Sequence, residues 1–374
     1  MSYQKIIFLF VFLALSNPVY ARIKLVALPD RENIRVSLDN PQATLVEEQR
    51  TLTLHKGINK VDFSWKGVLI KPDSIRLAIL ENADSSNLLN VSYPPNSQSL
   101  VWEIYSPEAG QETIKISYLL ENIDRIITYE ALTNSKETRL DLSTFLVLRN
   151  FSGESFELAG FQLSNAQTLN KSIKDGETKR ILFQTDHTLP LNKIFTFDAG
   201  KQPWEPDKLD NNTGIPVYYE LVNNESGNLG KYALWEGKFR IFQDDGNNNS
   251  IFLGEDQAGF TPVDQTMELY IGDSRDLVIT QKKIKYEKIN MRRNNKDRIV
   301  LYDDRETMKI EIENFRDAPA FLRILEPMQG EWEINESSHK YHRKDSRQLE
   351  YELTIPANRT VTVQFTYTVK NRRG

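Results

Sequence analysis

Two carboxylates held within several ångströms of each other are the minimum a glycosidase needs, so neighbouring acids are the first residues to weigh. Three pairs qualify: Asp303 with Asp304, Glu331 with Glu333, and Asp244 with Asp245. On a strand, Glu331 and Glu333 share one face and Trp332 takes the other, which is equally the pattern of a polar outer face over a buried Trp. Asp303 and Asp304 run into Arg305 and a long alternating strand from Thr307, so a turn with a local ion pair accounts for them as well as catalysis does. With 52 acidic residues in the chain, adjacent acids are expected and say little alone.

The other chemistry-bearing residues point the same way. The four histidines are His55, His187, His339 and His342. His339 and His342 have a spacing that chelates metal from a helix, but the polar run Asn335 to Arg347 around them reads as a solvated loop. No HExxH, GxSxG or phosphate-cradling glycine loop is present. The stretch Asp244-Asp245-Gly246-Asn247-Asn248-Asn249 is rich in oxygen ligands, yet it lacks EF-hand spacing and the terminal bidentate Glu. It reads as a hairpin tip between Phe239–Phe242 and Ser250–Leu253. The basic run Lys282 to Arg298 reads as a strand with a solvated cationic face followed by a loop, able to meet an anionic envelope partner or to protect a sheet edge. Of Trp65, Trp102, Trp204, Trp235 and Trp332, only Trp204 falls in a long polar loop, Ala199 to Gly214, where a ligand contact is worth testing.

The elements that must position these residues are strands. The dominant period is two: Ala43 to Leu54 ends in alternation, Glu112 to Leu120 puts Ile114, Ile116 and Tyr118 on one face, and Met308 to Ile312 and Val361 to Val369 repeat the pattern. Turn chemistry separates them at His55 to Asn59, Tyr93 to Asn96 and Lys174 to Gly176. The spacing predicts an all-β chain of two or three tandem antiparallel β-sandwich, immunoglobulin-like domains. The modules expected are an N-terminal sandwich over 22–122, a central β-rich domain over 123–283 and a C-terminal immunoglobulin-like sandwich over 284–374.

The formal net charge of −5 over 374 residues gives no electrostatic case for nucleic acid. Residues 1–21 have the plan of a cleaved signal peptide: Lys5, an apolar run from Ile6 to Leu15, a break at Ser16-Asn17-Pro18, and small residues Val19 and Ala21 before the cleavage point. No later apolar segment is long enough to span a bilayer. The chain has no cysteine, which excludes disulfides, thiolate metal sites and a cysteine nucleophile. A large exported chain without cysteine suits a bacterial periplasm or secretion into the medium.

In the second half, Ala258-Gly259-Phe260-Thr261-Pro262-Val263 is followed by Met267 to Leu277, then Asp304-Arg305-Glu306-Thr307, Ile310 to Phe315 and Gly330-Glu331-Trp332-Glu333-Ile334. This ordered set resembles the C-terminal domain of unknown function of mucoidy inhibitor A-like proteins, over roughly Leu142 to Val369. Ala43 to Val46 and Lys56 to Val61 are similar, more distantly, to the N-terminal β-domain of that family. The family's coiled coil has no counterpart here, because no heptad is sustained. The resemblance implies an exported β-protein tied to the cell envelope and carries over no catalytic residue. Physically, Gly272-Asp273 reads as a tight turn and Asn314 to Pro319 as a hairpin loop.

The function expected is therefore that of an exported, non-enzymatic, envelope-associated β-sandwich protein that binds a protein or polysaccharide partner. No catalytic residue, metal or cofactor is assigned, and no membrane span is expected in the mature chain. The alternatives are a carbohydrate-active hydrolase using Asp303, Asp304, Glu331 and Glu333, and a calcium-dependent adhesion module.

Overall fold

A computed structural model describes residues 24–40, 42–163, 167–201, 209–211, 214–247 and 249–373. The expected export segment and Trp204 lie outside the described residues. The protein is all-β, built as sandwiches from five sheets, with three short 3-10 turns as its helical elements among the described residues. None of its described helices is long and apolar enough to cross a membrane.

The chain divides into two compact units, one formed by described residues up to Asp124 with Arg149–Thr178 and the other by Arg125–Leu148 with Lys179–Gly374. This differs from the three modules read off the sequence. The position between residues 283 and 284 lies inside one strand, Leu277–Arg293. That strand begins with buried Leu277 and Ile279 and ends fully exposed, so its change of composition imitates a boundary while it merely runs from core to solvent.

In the first unit a sheet of strands Lys24–Val26, Gly57–Ser64, Ser99–Ser106 and Asn87–Ser92 faces one built around Asn33–Ser37, Thr44–Leu54 and Gly110–Leu120. Phe63 and Trp102 from the first sheet meet across 5.5 Å, and Phe63 reaches Tyr118 of the second at 6.0 Å. One charge intrudes on this inward face. Glu48 follows Val46 in the inward phase and is 1% exposed. Arg50 binds it through Nε at 2.9 Å and Nη2 at 2.8 Å, and also donates to the Pro29 carbonyl. Arg31 approaches Glu48 at 3.7 Å and Glu154 at 2.6 Å. Burial holds the Glu48 carboxyl above its ordinary range despite Arg50. The network pins the segment that crosses from one sheet to the other. Glu48→Ala takes both close contacts from Arg50 while Arg31 keeps Glu154, and a loss of about 3 kcal/mol is expected, read as a lower urea midpoint by intrinsic Trp fluorescence.

The second unit contains three sheets. Strands Thr266–Ser274, Ile215–Val222, Asn192–Asp198, Ala320–Pro327, Gln348–Ile355 and His342–Arg343 form one, in that order. It packs on a wholly antiparallel sheet whose long members are Leu277–Arg293, Ile299–Asn314 and Arg359–Arg373. Phe195, Leu322, Ile324, Leu349 and Tyr351 from one side and Ile279, Ile310, Val363 and Phe365 from the other share one core. The C-terminal sandwich thus draws part of its core, including Phe195, Phe197, Ile215, Val217, Leu277 and Ile279, from strands before residue 284. The third sheet runs Glu177–Pro190, Arg139–Asn150, Ile123–Thr133, Gly237–Asp244, Ser250–Ala258. Its last edge is sealed where Asp256 Oδ2 accepts from the Tyr270 backbone N–H at 2.8 Å. Gly254 permits that approach, since a Cβ there would stand 2.9 Å from the Ile271 carbonyl oxygen.

The sheets are not purely antiparallel, as had been expected. Parallel pairs join Lys24–Val26 to Gly57–Ser64, Asn33–Ser37 to Phe156–Leu163, Ile123–Thr133 to Gly237–Asp244, and Asn192–Asp198 to Ala320–Pro327. Alternation is identical in both kinds of ladder when one face is buried, so the direction of a partner strand leaves no local trace.

A buried asparagine marks four places where the chain leaves one sheet for another. Asn314 Nδ2 donates to the carbonyls of Ala318 (3.1 Å), Ile355 (3.1 Å) and Pro356 (3.0 Å), and its Oδ1 accepts from Arg316 N at 3.0 Å. Asn223 does the same for Tyr232, Thr261 and Pro262, with Gly230 as donor. Asn150 ties Glu154 and Lys174, and Asn59 ties His55, Gly57 and Ile104. Only an amide side chain supplies two donors and an acceptor in so small a volume. The segment Asn314 to Pro319 is accordingly an arch between sheets, not the expected hairpin. Gly272 also differs from expectation: it sits inside strand Thr266–Ser274 at a bulge with φ 131°, and the turn follows at Arg275-Asp276.

Candidate functional site

Three strands of the antiparallel sheet continue beyond the sandwich core as a ribbon: the second half of Leu277–Arg293, the first half of Ile299–Asn314, and the last part of Arg359–Arg373. On its inward face the residues change from apolar to polar rung by rung. Gln281 stands opposite Ile310, Lys283 opposite Met308, Tyr286 opposite Glu306 and Lys288 opposite Asp304. Across the second ladder Met308 faces Phe365, Glu306 faces Tyr367 and Asp304 faces Val369.

Each polar rung closes on itself. Glu306 takes Lys283 Nζ at 2.9 Å and the Tyr367 hydroxyl at 2.6 Å. Asp304 takes the Tyr286 hydroxyl at 2.7 Å and Arg372 Nε at 3.2 Å. That hydrogen bond, with burial, pushes the Tyr286 phenol up to about 12. Lys288 Nζ lies 4.2 Å from the Tyr302 ring centre. At the junction with the core, Glu326 of Ala320–Pro327 crosses from the facing sheet and receives Gln281 Nε2 at 3.1 and 3.0 Å on its two oxygens. Burial pushes this carboxyl up to about 8; the Gln281 amide offsets part of that, and Asp198 adds to it. Glu326 is thus an uncharged acid at neutral pH.

On the opposite face the ribbon carries a groove lined by Asn290, Met291, Arg292, Asp303, Lys370 and Asn371. It exists because both outer strands bulge beside Asp303: register shifts lie between Ile289 and Arg292 and opposite Tyr302 to Asp304. Asn290 and Asn371 take up the left-handed conformation there, at φ 49° and 57°, which Asn tolerates better than most residues. Asp303 holds both bulges, accepting from Asn290 Nδ2 and from the Asn371 backbone N–H, each at 2.9 Å. Those two hydrogen bonds keep its carboxyl below the ordinary carboxylate range. Arg292 spans the groove, giving Nη2 to Asp303 at 3.4 Å and to Asn371 Oδ1 at 2.6 Å.

The acid pairs are therefore dispersed. Asp303 and Asp304, being consecutive on a strand, point to opposite faces and serve different ties. Glu331 and Glu333 do share the outer face over buried Trp332, with Glu333 held by Lys370 at 2.7 Å. Asp245 Oδ1 accepts from Asn247 N at 2.7 Å and Asn249 N at 3.1 Å, and Asp244 Oδ1 from Gly246 N at 2.8 Å, as a hairpin tip requires. His342 lies in a two-residue strand, while His339 bonds Ser338. Among the described residues no group of three or more His, Asp or Glu comes together to hold a metal. Trp65, Trp102 and Trp332 are core residues, and Trp235 lies under Arg125 at 4.6 Å. No protein-family model matches the chain, and no curated protein matches it.

Four residues of this region went unnoticed in the sequence: Glu326, Gln281, Asn290 and Asn371. Glu326 had a readable signal, because Ala320, Leu322 and Ile324 set an inward phase that it continues. The two asparagines had none, since a bulge shifts register without changing composition.

Proposed function

We propose that this is an exported, non-enzymatic, envelope-associated protein that uses its β-sandwiches to present a binding surface to a protein or polysaccharide partner. The observation that supports it best is the way the ribbon spends its acids. Three of the four suspect carboxylates, Asp303, Asp304 and Glu333, are consumed by ties within the protein, while a groove and a set of cations face solvent. The motif series resembling mucoidy inhibitor A-like proteins and the signal-like leader support the envelope part of the reading. Fractionation tests the location: the tagged chain expressed in a Gram-negative host is expected in the periplasmic or medium fraction, shortened by its leader. Full-length chain retained in the cytoplasm would count against it.

A further inference from the structure

The far end of the ribbon is electrostatically unlike the rest of the molecule. Residues 288–304 and 370–373 hold eight Lys and Arg against three Asp, in a chain whose net charge is −5. The three acids do not project an anionic field of their own. Asp303 and Asp304 are tied inside the ribbon, Asp297 pairs with Arg293 at 3.6 Å, and on the neighbouring strand Glu333 is answered by Lys370 at 2.7 Å. Among the described residues, Lys296, Arg298 and Arg373 are exposed and make no ion pair. Arg292 and Arg373 both stand opposite Leu301 from its two sides, which places them about 10 Å apart across three strands. Such a row suits a repeating anion better than a single small one. The bonds on Arg292 all use Nη2, so its Nε and Nη1 remain for a ligand. The groove beside it adds amide groups of Asn290 and Asn371, which suit hydroxyls as well as carboxylates. The loop at the tip, Arg293-Asn294-Asn295-Lys296-Asp297-Arg298, is wholly polar and is locked by Asn294 Oδ1 to Lys296 N and Arg298 N. It has no apolar side chain to insert into a bilayer.

Building on the partner-binding reading, we infer that the ribbon end is a binding site for an acidic polysaccharide, with Arg292 and the Asn290 and Asn371 amides in the groove and Lys296, Arg298 and Arg373 along the polymer. The test uses the whole chain at about 0.15 M salt, where exposed charges farther apart than ~8 Å are largely screened. Fluorescent polygalacturonate is the probe, with neutral dextran and phosphatidylglycerol vesicles beside it. Saturable binding of polygalacturonate but not dextran is expected. It should weaken at least tenfold in the K296E/R298E/R373E protein and stay unchanged in K66E, a reversal at an exposed site elsewhere. All three changes are at exposed residues, and an unchanged unfolding midpoint checks that the fold survives. Absence of polygalacturonate binding, binding indifferent to the triple reversal, or tighter binding to the vesicles overturns the inference. The broader reading fails on separate grounds, by cytoplasmic residence or by turnover of a substrate.

Discussion

Asn314→Asp is expected to destabilise the C-terminal sandwich by roughly 3–5 kcal/mol at neutral pH, one of the two largest effects of any single change discussed. The substitution keeps the volume and the shape. It removes the two N–H donors that serve Ala318, Ile355 and Pro356, and it sets a carboxylate against three carbonyl oxygens at a site 3% exposed. A loss of that size should lower Tm by about 10 °C for a unit of this length. The pH dependence identifies the cause. Acidification protonates the new carboxyl and returns one donor, so the gap to the wild-type protein should narrow toward pH 4. Asn314→Ala, which leaves the carbonyls unpaired but adds no charge, should cost less and show no such narrowing. An Asn314→Asp protein within 1 kcal/mol of wild type would mean that the arch is not held by this amide. Asn223 makes the same set of bonds and should respond alike.

Glu326→Gln is expected to act in the opposite direction, and only above mildly acidic pH. In the unfolded chain a Glu ionises near 4.3, whereas burial holds Glu326 protonated up to about 8 in the folded state. The folded state therefore binds more protons between those values. The stability associated with the neutral acid is fully present below the unfolded pKa and is lost as pH rises toward 8. The expected loss from this one group is roughly 3 kcal/mol or more. Glutamine has the same shape, still accepts from Gln281 Nε2, and never ionises. Urea midpoints of the two proteins should coincide near pH 4 and separate by pH 8.5, with the variant more stable. Parallel pH profiles would show that Glu326 ionises freely in the folded protein.

How much of this was readable in the sequence follows from what period-two alternation does and does not encode. Strands such as Glu112 to Leu120 and Val361 to Val369 were legible because one face is buried and the other wet. The outward Glu331 and Glu333 over Trp332 were legible for the same reason. Sheet membership was not. Strands Ile299–Asn314 and Ala320–Pro327 look like neighbours in a hairpin, yet they belong to facing sheets. The sign of that arch lay in the inward phase of Ile310, Ile312 and Asn314, a polar residue where a hydrophobic one was due. Leu146, Leu148 and Asn150 repeat it, as do Tyr219, Leu221 and Asn223. Glu48 and Glu326 are the acidic versions of the same signal. The groove around Asp303 was beyond reach, because its geometry comes from two bulges whose positions depend on the pairing of three strands, the third of which lies far along the chain from the other two. The cationic run that borders it was visible, but that Arg372 and Arg373 join it across the sheet was not.

The account rests on a division of labour in which the ribbon's acids hold structure and its exposed groups hold a partner. The most direct test is to follow a defined panel of acidic and neutral oligosaccharides, incubated with the purified chain, for binding and for product in the same samples. The account predicts reversible, saturable binding of acidic oligosaccharides with every oligosaccharide recovered at its original length, for the wild-type protein and for Asp304→Asn and Glu306→Gln alike. Release of shorter products that disappears in either substituted protein would contradict it and would make the ribbon's inner face a catalytic one.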